Sequence, residues 1–599
     1  MNAPLATPDL AALPVWNLDD LYLGRDDPRI AADLAAARAL AGALAAKAGA
    51  LIAAQGDPQA LGALIDEMVS LYQDLGDLVG GIGAYASLSA SVGREDPAWP
   101  RFEADMRGQI SAVYAETLFF TLELNALAPE AMEAALAAAP AAARWRPWLR
   151  KVRAFRAHEL SADLERLFND RAPALANWVR LYDDALARLD IRVGRERLTL
   201  SDALNRLSDP APPRRKAAAG ALAKALAEKA DVLALSLNTL AAEKAVEDRW
   251  RGYASPAAAR HLANEVDPEA VDAMEAAVVG AYGATSHRYY ALKAKIMGRK
   301  TLDYWDRNAP LDEAPPRLYG WDEAKALVLT AFADLSSGMG ARGRAFLSQP
   351  WIDARPRVGK QSGAYSHPVT APRHPYVMLN YLGERRDVLT LAHELGHALH
   401  QTLAAPQGSL LADTPLTLAE TASIFAEGLV FERLLAEADA ATRRALLAGK
   451  IEDGLNTVVR QIAFHRFETR FHAARAAGEV SVEAIGRIWV EVMGESLGPA
   501  IRLGPGYETY WAYVSHFVHA PFYVYAYAFG NLLVEALMAA RAKDPAGFAP
   551  LYETLLAGGG ARTYVEALAP FGLNPREPAF WQLGLRRLEG LVDQFEALV

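Results

Sequence analysis

The chain has 599 residues, 52% of them hydrophobic and 22% charged, with a formal net charge of −10 and no cysteine. That length favours more than one domain with sizeable cores, and the acidic balance argues against general nucleic-acid binding, which needs a basic face. Without cysteine there are no disulfides, no thiol catalysis and no thiolate metal sites.

The opening residues MNAPLATPDLAALP show no basic stretch followed by a long apolar core, so no secretory signal is read and the cytoplasm is the expected location. No run of 18 or more apolar residues stands out, so no membrane association is expected. Residues 31–55 and 134–143 are rich in Ala and Leu, and along the chain Glu and Arg fall between such residues at helical spacing, which predicts a mainly α protein. Proline-containing breaks fall at 209–213, 309–316 and 353–375. The first of these suggests an N-terminal helical region over 1–200 and a second region over 201–599 that carries the chemistry. No P-loop, dinucleotide-binding glycine fingerprint or internal repeat is evident.

Tyr376-Val377-Met378-Leu379-Asn380-Tyr381 reads as a short strand bounded by Pro375 and Gly383. His367 and His374, each beside a proline, read as loop residues. A helix then follows, with Val388, Leu389, Ala392, Leu395 and Leu399 recurring every three or four residues and Asp387 as its cap. It contains His393-Glu394-Leu395-Gly396-His397. Positions i and i+4 lie one turn apart on one face, so two imidazoles can share one Zn²⁺ while Glu394 stands beside it to take a proton from water. Chance would give roughly 0.01 such pentads in a chain of this composition, so the motif carries weight.

A catalytic zinc usually has three protein ligands and one open position. Without cysteine the third is His, Asp or Glu. After a loop at 404–409, Asp413-Thr414-Pro415 reads as the start of a helix that runs through LTLAETASIFAEGLVFERLL. Glu420 falls in its apolar part, where an unpaired carboxylate is costly and a metal would be a partner. Glu427, seven residues on, could orient a ligand imidazole or form an ordinary ion pair. His465 and His472 accompany a Phe464, Phe467 and Phe471 stripe that reads as core, and His158, His261 and His287 have no chemical company. Residues 505–530, PGYETYWAYVSHFVHAPFYVYAYAFG, concentrate tyrosines together with His516 and His519. Tyr523 and Tyr527 would share a face if this stretch is helical.

HELGHALH followed by ETASIFAE, together with LPVWNLDDLYLGRDDP near the start and HFVHAPFYVYAYAFG at 516–530, resembles the oligoendopeptidase F branch of the thimet oligopeptidase-like zinc peptidases. The resemblance spans most of the chain. It implies an elongated helical zincin-type fold with a deep cleft, N-terminal helices forming part of its wall or lid, and a small β element beside the zinc helix. It implies one Zn²⁺ per chain on His393, His397 and Glu420, with Glu394 as base. It also implies a histidine and one or two tyrosines from the distal segment as donors to the oxyanion, the nearest positions being His516, Tyr523 and Tyr527. The interval from His516 to Tyr523 is longer than the family's usual one, so His516 and His519 both stand as the donor. His400 corresponds to a family feature without a required metal contact.

The implied function is a zinc-dependent endopeptidase that cuts internal bonds of short unstructured peptides. The alternatives are a zinc carboxypeptidase or dipeptidase, for which Arg373 or Arg502 could recognise a terminus, and a non-catalytic peptide-binding protein, against which the intact Glu394, histidines and Glu420 argue. Oligomeric state and sequence preference are not legible.

Overall fold

The computed structural model describes residues 10–311 and 317–599, so part of the 309–316 break and the first nine residues of the MNAPLATPDLAALP opening lie outside the described residues. Helices dominate, as the composition predicts, and strands occur only as short pieces of two or three residues among the described residues. The chain forms two compact units, each assembled from three stretches.

The first unit takes in residues up to 156, then 317–436 and 540–573. The second takes in 157–316, 437–539 and 574–599. The division does not follow the boundary read near residue 200. The prolines at 210–213 help start a helix, Pro212–Ala227, with proline in its first turn, and that helix lies inside the second unit.

In the first unit the N-terminal helices Pro28–Ala45, Pro58–Val92 and Ala98–Ala126 begin the framework. Asp27 and Asp57 cap the first two through main-chain amides, with proline at the first helical position of each. Leu61, Ile65, Met68, Phe120, Leu124 and Trp145 make one core cluster. Within residues 28–56 an 18-residue window reaches a mean hydropathy of 1.4, long and apolar enough by length and composition alone to cross a membrane, which the sequence reading did not expect. In the fold, Ile30, Leu34, Ala37, Ala41 and Leu44 are spent on packing, and Arg29, Asp33 and Arg38 interrupt the same helix.

The small sheet of this unit has the order 352–353, 376–378, 365–367. Tyr376–Met378 is therefore a central strand, fully buried, and shorter than the 376–381 strand read from sequence. It pairs in parallel with Ile352–Asp353 and antiparallel with Tyr365–His367. Tyr365–His367 is an edge strand of this sheet.

The second unit is built on helices including Ala162–Ala187, Ala230–Arg251, Arg460–Ala476 and Val482–Leu497. The phenylalanine stripe is core, as read: Phe464 stacks on Trp489 at 5.5 Å and Phe467 lies 4.7 Å from Phe517 between ring centroids.

Candidate active site

The pentad lies on the helix Arg385–Ala404. Glu384 caps it, and Asp387 is the reciprocal partner in a capping box, three residues inside, instead of the cap itself. Val388, Leu391, Ala392, Leu395, Ala398 and Leu399 are buried. That burial fixes the rotation of the helix and turns His393 and His397 to the opposite face. Their rings stand 4.9 Å apart, nearly perpendicular.

Glu420 is not inside a continuous helix, as the sequence suggests. A short helix, Leu416–Ala419, ends there, and a new one starts at Ser423. The break is held by contacts from elsewhere. The Thr421 carbonyl accepts the Tyr552 hydroxyl at 3.1 Å, and Ser423 Oγ donates to Glu420 Oε2 at 2.6 Å. Gly396 lets this turn approach, since a Cβ there would stand 2.6 Å from the Ala422 carbonyl oxygen and 2.8 Å from Ser423 Cα. The glycine in the pentad is thus a packing requirement.

The result is a convergence. His393 Nε2 and His397 Nε2 lie 3.4 and 3.5 Å from the same Glu420 oxygen. Two atoms bound at about 2.0–2.1 Å to one tetrahedral centre stand roughly 3.4 Å apart, so the spacing fits a zinc ion. The donor chemistry fits as well: two imidazoles and a carboxylate make an open catalytic set. Glu427 Oε2 lies 3.6 Å from His393 Nδ1 and would fix that ring's tautomer and orientation.

Burial lowers the proton affinity of both imidazoles, but at His393 the carboxylates of Glu427, Glu420 and Glu394 outweigh it and the pKa is raised. At His397 burial wins over Glu420 and the pKa is lowered. The contrast follows from Glu427, which faces His393. Burial pushes Glu394 up to about 7, with His393 opposing, Glu420 adding and the Ser366 amide opposing. A dication among these groups would override that balance with its own charge.

His393, Glu394, His397 and Glu420 line a cavity of about 710 Å³. Its walls include Gln73, Gly76 and Gly80 from the helix Pro58–Val92, Tyr114 from Ala98–Ala126, and Ala364, Tyr365 and Ser366 at the sheet edge. Arg373 also lines it. Its guanidinium donates to the Asp20 carbonyl at 3.2 Å and makes no ion pair among the described residues. Arg502, the other arginine considered, is bound to Asp303. His400 lines the cavity too, is buried, and is pushed down to about 4 by burial. His367 Nδ1 accepts the Val369 amide at 3.0 Å, while His374 pairs with Asp20 and stacks on Trp351.

The distal segment lies in the second unit. His516 begins a one-turn helix, His516–His519, and the next helix starts only at Tyr525. Tyr523 lies two residues before that helix, so the shared helical face read for Tyr523 and Tyr527 is not formed; Pro521 and a left-handed Phe522 (φ 59°) separate Tyr523 from the His516–His519 helix. The three rings still cluster. His516 Nε2 is 3.2 Å from the Tyr527 hydroxyl, the His516 and Tyr523 rings lie 6.4 Å apart and nearly parallel, and the two tyrosines are 5.4 Å apart. His519 turns away to Asp183, 2.8 Å from it. Sequence reasoning missed Gly396, Ser423 and the groups that shape the Phe522 turn. Of these, only the mid-helix glycine and the serine three residues after Glu420 carried a signal.

Residues 339–587 match peptidase family M3, and residues 123–190 match the family described as Oligopeptidase F. The stretch that carries the pentad and Glu420 is thus similar to the M3 peptidases. The chain is 30% identical over 394 residues to an oligoendopeptidase F homolog of Lactococcus lactis, covering 64% of each chain. It is 25% identical over 388 residues to oligopeptidase PepF of Bacillus subtilis, covering 64% of this chain and 58% of that one. The matches thus span less than two thirds of these relatives' length. Among solved structures, a protein from Chlamydophila abortus shares the fold with a TM-score of 0.87, at 21% identity, over 99% of this chain and 100% of its own. Oligoendopeptidase-F from Enterococcus faecium does so with a TM-score of 0.67, at 19% identity, over 94% and 98%.

Proposed function

We propose that the chain is a zinc-dependent endopeptidase that cuts internal bonds of short, unstructured peptides. The observation that carries this reading is the convergence of His393 and His397 on one oxygen of Glu420, with Glu394 alongside in a cavity of about 710 Å³. The match of residues 339–587 to peptidase family M3 and the names of the relatives support it.

His393, His397 and Glu420 would hold one zinc ion, with Ser423 and Glu427 orienting Glu420 and His393. When bound, zinc supplies Lewis-acid polarisation of the scissile carbonyl and makes water more acidic. Glu394 takes the proton from the attacking water and passes it to the leaving amine. The edge strand Tyr365–His367 offers main-chain pairing to an extended peptide, independent of its side chains. The resemblance of their segment implies His516, Tyr523 and Tyr527 as donors to the oxyanion, and the three rings cluster within the second unit. Pairing with extended backbone, beside a cavity walled in part by N-terminal helices, would favour unfolded peptides over folded proteins.

One observation keeps the carboxypeptidase or dipeptidase reading in view: Arg373 lines the cavity without an ion pair and could accept a terminal carboxylate. Mass-spectrometric product mapping on peptides of roughly a dozen residues, with both ends blocked, separates the two. The endopeptidase reading predicts internal cleavage of blocked peptides and survival of a stable folded protein. Cleavage only when an end is free would favour the exopeptidase.

A further inference from the structure

The turn that delivers Tyr523 is unusual for its residues. Phe522 is 1% exposed and holds a positive φ, which aromatic side chains rarely adopt. It follows Pro521, which has no amide to donate. The Phe522 amide instead donates to Glu468 Oε1 at 2.7 Å. Glu468 sits on the helix Arg460–Ala476 and is 2% exposed. Its other oxygen has no hydrogen-bond partner. A carboxyl buried for a single amide is a costly way to fill space, and an orphaned buried oxygen calls for an explanation.

Other polar groups of the second unit grip the same few residues. Arg260 Nε donates to the Pro521 carbonyl at 3.2 Å, and its guanidinium lies 5.5 Å from the centre of the Tyr523 ring. The Phe522 ring packs against His472 and His465, at 4.9 and 5.8 Å. The Tyr525 hydroxyl meets His261 Nδ1 at 3.0 Å and Asn264 Nδ2 at 2.9 Å. With the turn held this way, Tyr523 stacks over His516 although seven residues separate them.

We propose that Glu468 is a positioning residue for Tyr523: by holding the Phe522 amide it keeps the chain in the left-handed turn that sets Tyr523 beside His516 and Tyr527. This rests on the proposed oxyanion role of Tyr523 for its catalytic consequence, and on geometry alone for the contact. Burial pushes Glu468 up to about 8, against the Phe522 amide and the charges of Arg260 and Lys244. A neutral carboxyl still offers a carbonyl oxygen to the amide. Glutamine should therefore replace it, whereas leucine removes the acceptor and aspartate draws it back by one methylene.

The test pairs two readouts on the metal-loaded full chain. Hydrogen–deuterium exchange, resolved to the Phe522 amide, reports the contact; kcat and KM on an end-blocked peptide report its use. Glu468→Gln should keep amide protection and kcat within about threefold of wild type, as a preserved acceptor implies. Glu468→Leu should speed Phe522 exchange at least about tenfold and lower kcat by roughly 10- to 100-fold with KM little changed, the pattern of a lost transition-state donor. Adding Tyr523→Phe to Glu468→Leu should cost little more, because both act through one hydroxyl. If leucine does not fold, Glu468→Asp carries the test, with faster exchange and a lower kcat expected. A protected Phe522 amide in the folded Leu or Asp variant overturns the contact. Fully multiplying losses in the double variant overturn the positioning role. A wild-type protein that cuts no peptide overturns the peptidase reading, while amide exchange still decides the Glu468 contact.

Discussion

The two groups of side chains assigned to catalysis are held in contrasting ways. His393 and His397 sit on an uninterrupted helix, and their relative placement follows from the pitch alone. Tyr523 sits on an irregular turn between a one-turn helix and a long one, and its placement depends on Glu468, Arg260 and Phe522 from within the same unit. Glu420 is intermediate: it ends one short helix just before another begins. The comparison teaches that side chains binding a fixed ion can ride on regular structure. Tyr523, the donor proposed for charge that appears only in the transition state, is set by a gripped turn, where small shifts of backbone would change its aim.

The largest effect should come from the helix. Glu394→Gln keeps shape and removes the basic oxygen, so kcat should fall by about 10²–10⁴-fold while zinc stays bound. Steady-state kinetics with metal analysis on the same sample checks it; normal kcat would remove Glu394 from the mechanism.

On the turn side, Tyr523→Phe should lower kcat roughly 10²-fold at nearly constant KM with the metal retained. His516→Ala should behave similarly. His519→Ala should stay near wild type, since His519 is spent on Asp183 at an exposed site. A large loss at His519 with His516 near normal would exchange their roles.

Gly396→Ala joins the two kinds of support. The added Cβ meets the backbone of Ala422 and Ser423, so the Glu420 turn must move away. Overpacking of this kind typically costs about 1–3 kcal/mol, and weaker zinc retention should accompany it. Calorimetric melting and competitive chelation would measure both, and an unaltered zinc affinity would show that the close approach does not set the ligand.

The smallest effect is a pH slope in the second unit. Burial pushes His465 and His472 down to about 4. The unfolded chain takes up their protons near the ordinary value of 6.5, so stability is full above that pH and declines as pH falls toward 4. Denaturant titrations of His472→Leu between these values should show a slope smaller by about one proton than wild type. An unchanged slope would mean that His472 titrates normally in the fold.

Much of the helix side was legible because its information is local. The i, i+4 histidines, the apolar stripe of 388–399 and the Phe464–Phe471 core face all follow from spacing. The break at Glu420 was not, because its cause is a tyrosine hydroxyl from residue 552 and a glycine contact from residue 396. Likewise Tyr376–Met378 became a central strand because Ile352–Asp353, well upstream, pairs with its other edge. Tyr523 is off the helical face assumed for it because the helix begins only at Tyr525, and the turn before it, at Pro521 and Phe522, is bound by Glu468, 54 residues earlier. The mainly α class came from composition; the partition into two interleaved units depends on long-range packing that no local signal carries.

Metal content tests the proposed zinc site most directly. Elemental analysis of purified wild-type protein and of Glu420→Ala, both dialysed against the same zinc buffer, measures it. The wild type should carry about one zinc per chain and the variant should be strongly depleted, because a three-ligand site loses its only carboxylate. A full complement of zinc in Glu420→Ala would contradict it and send the third ligand elsewhere, with Glu427 next in line.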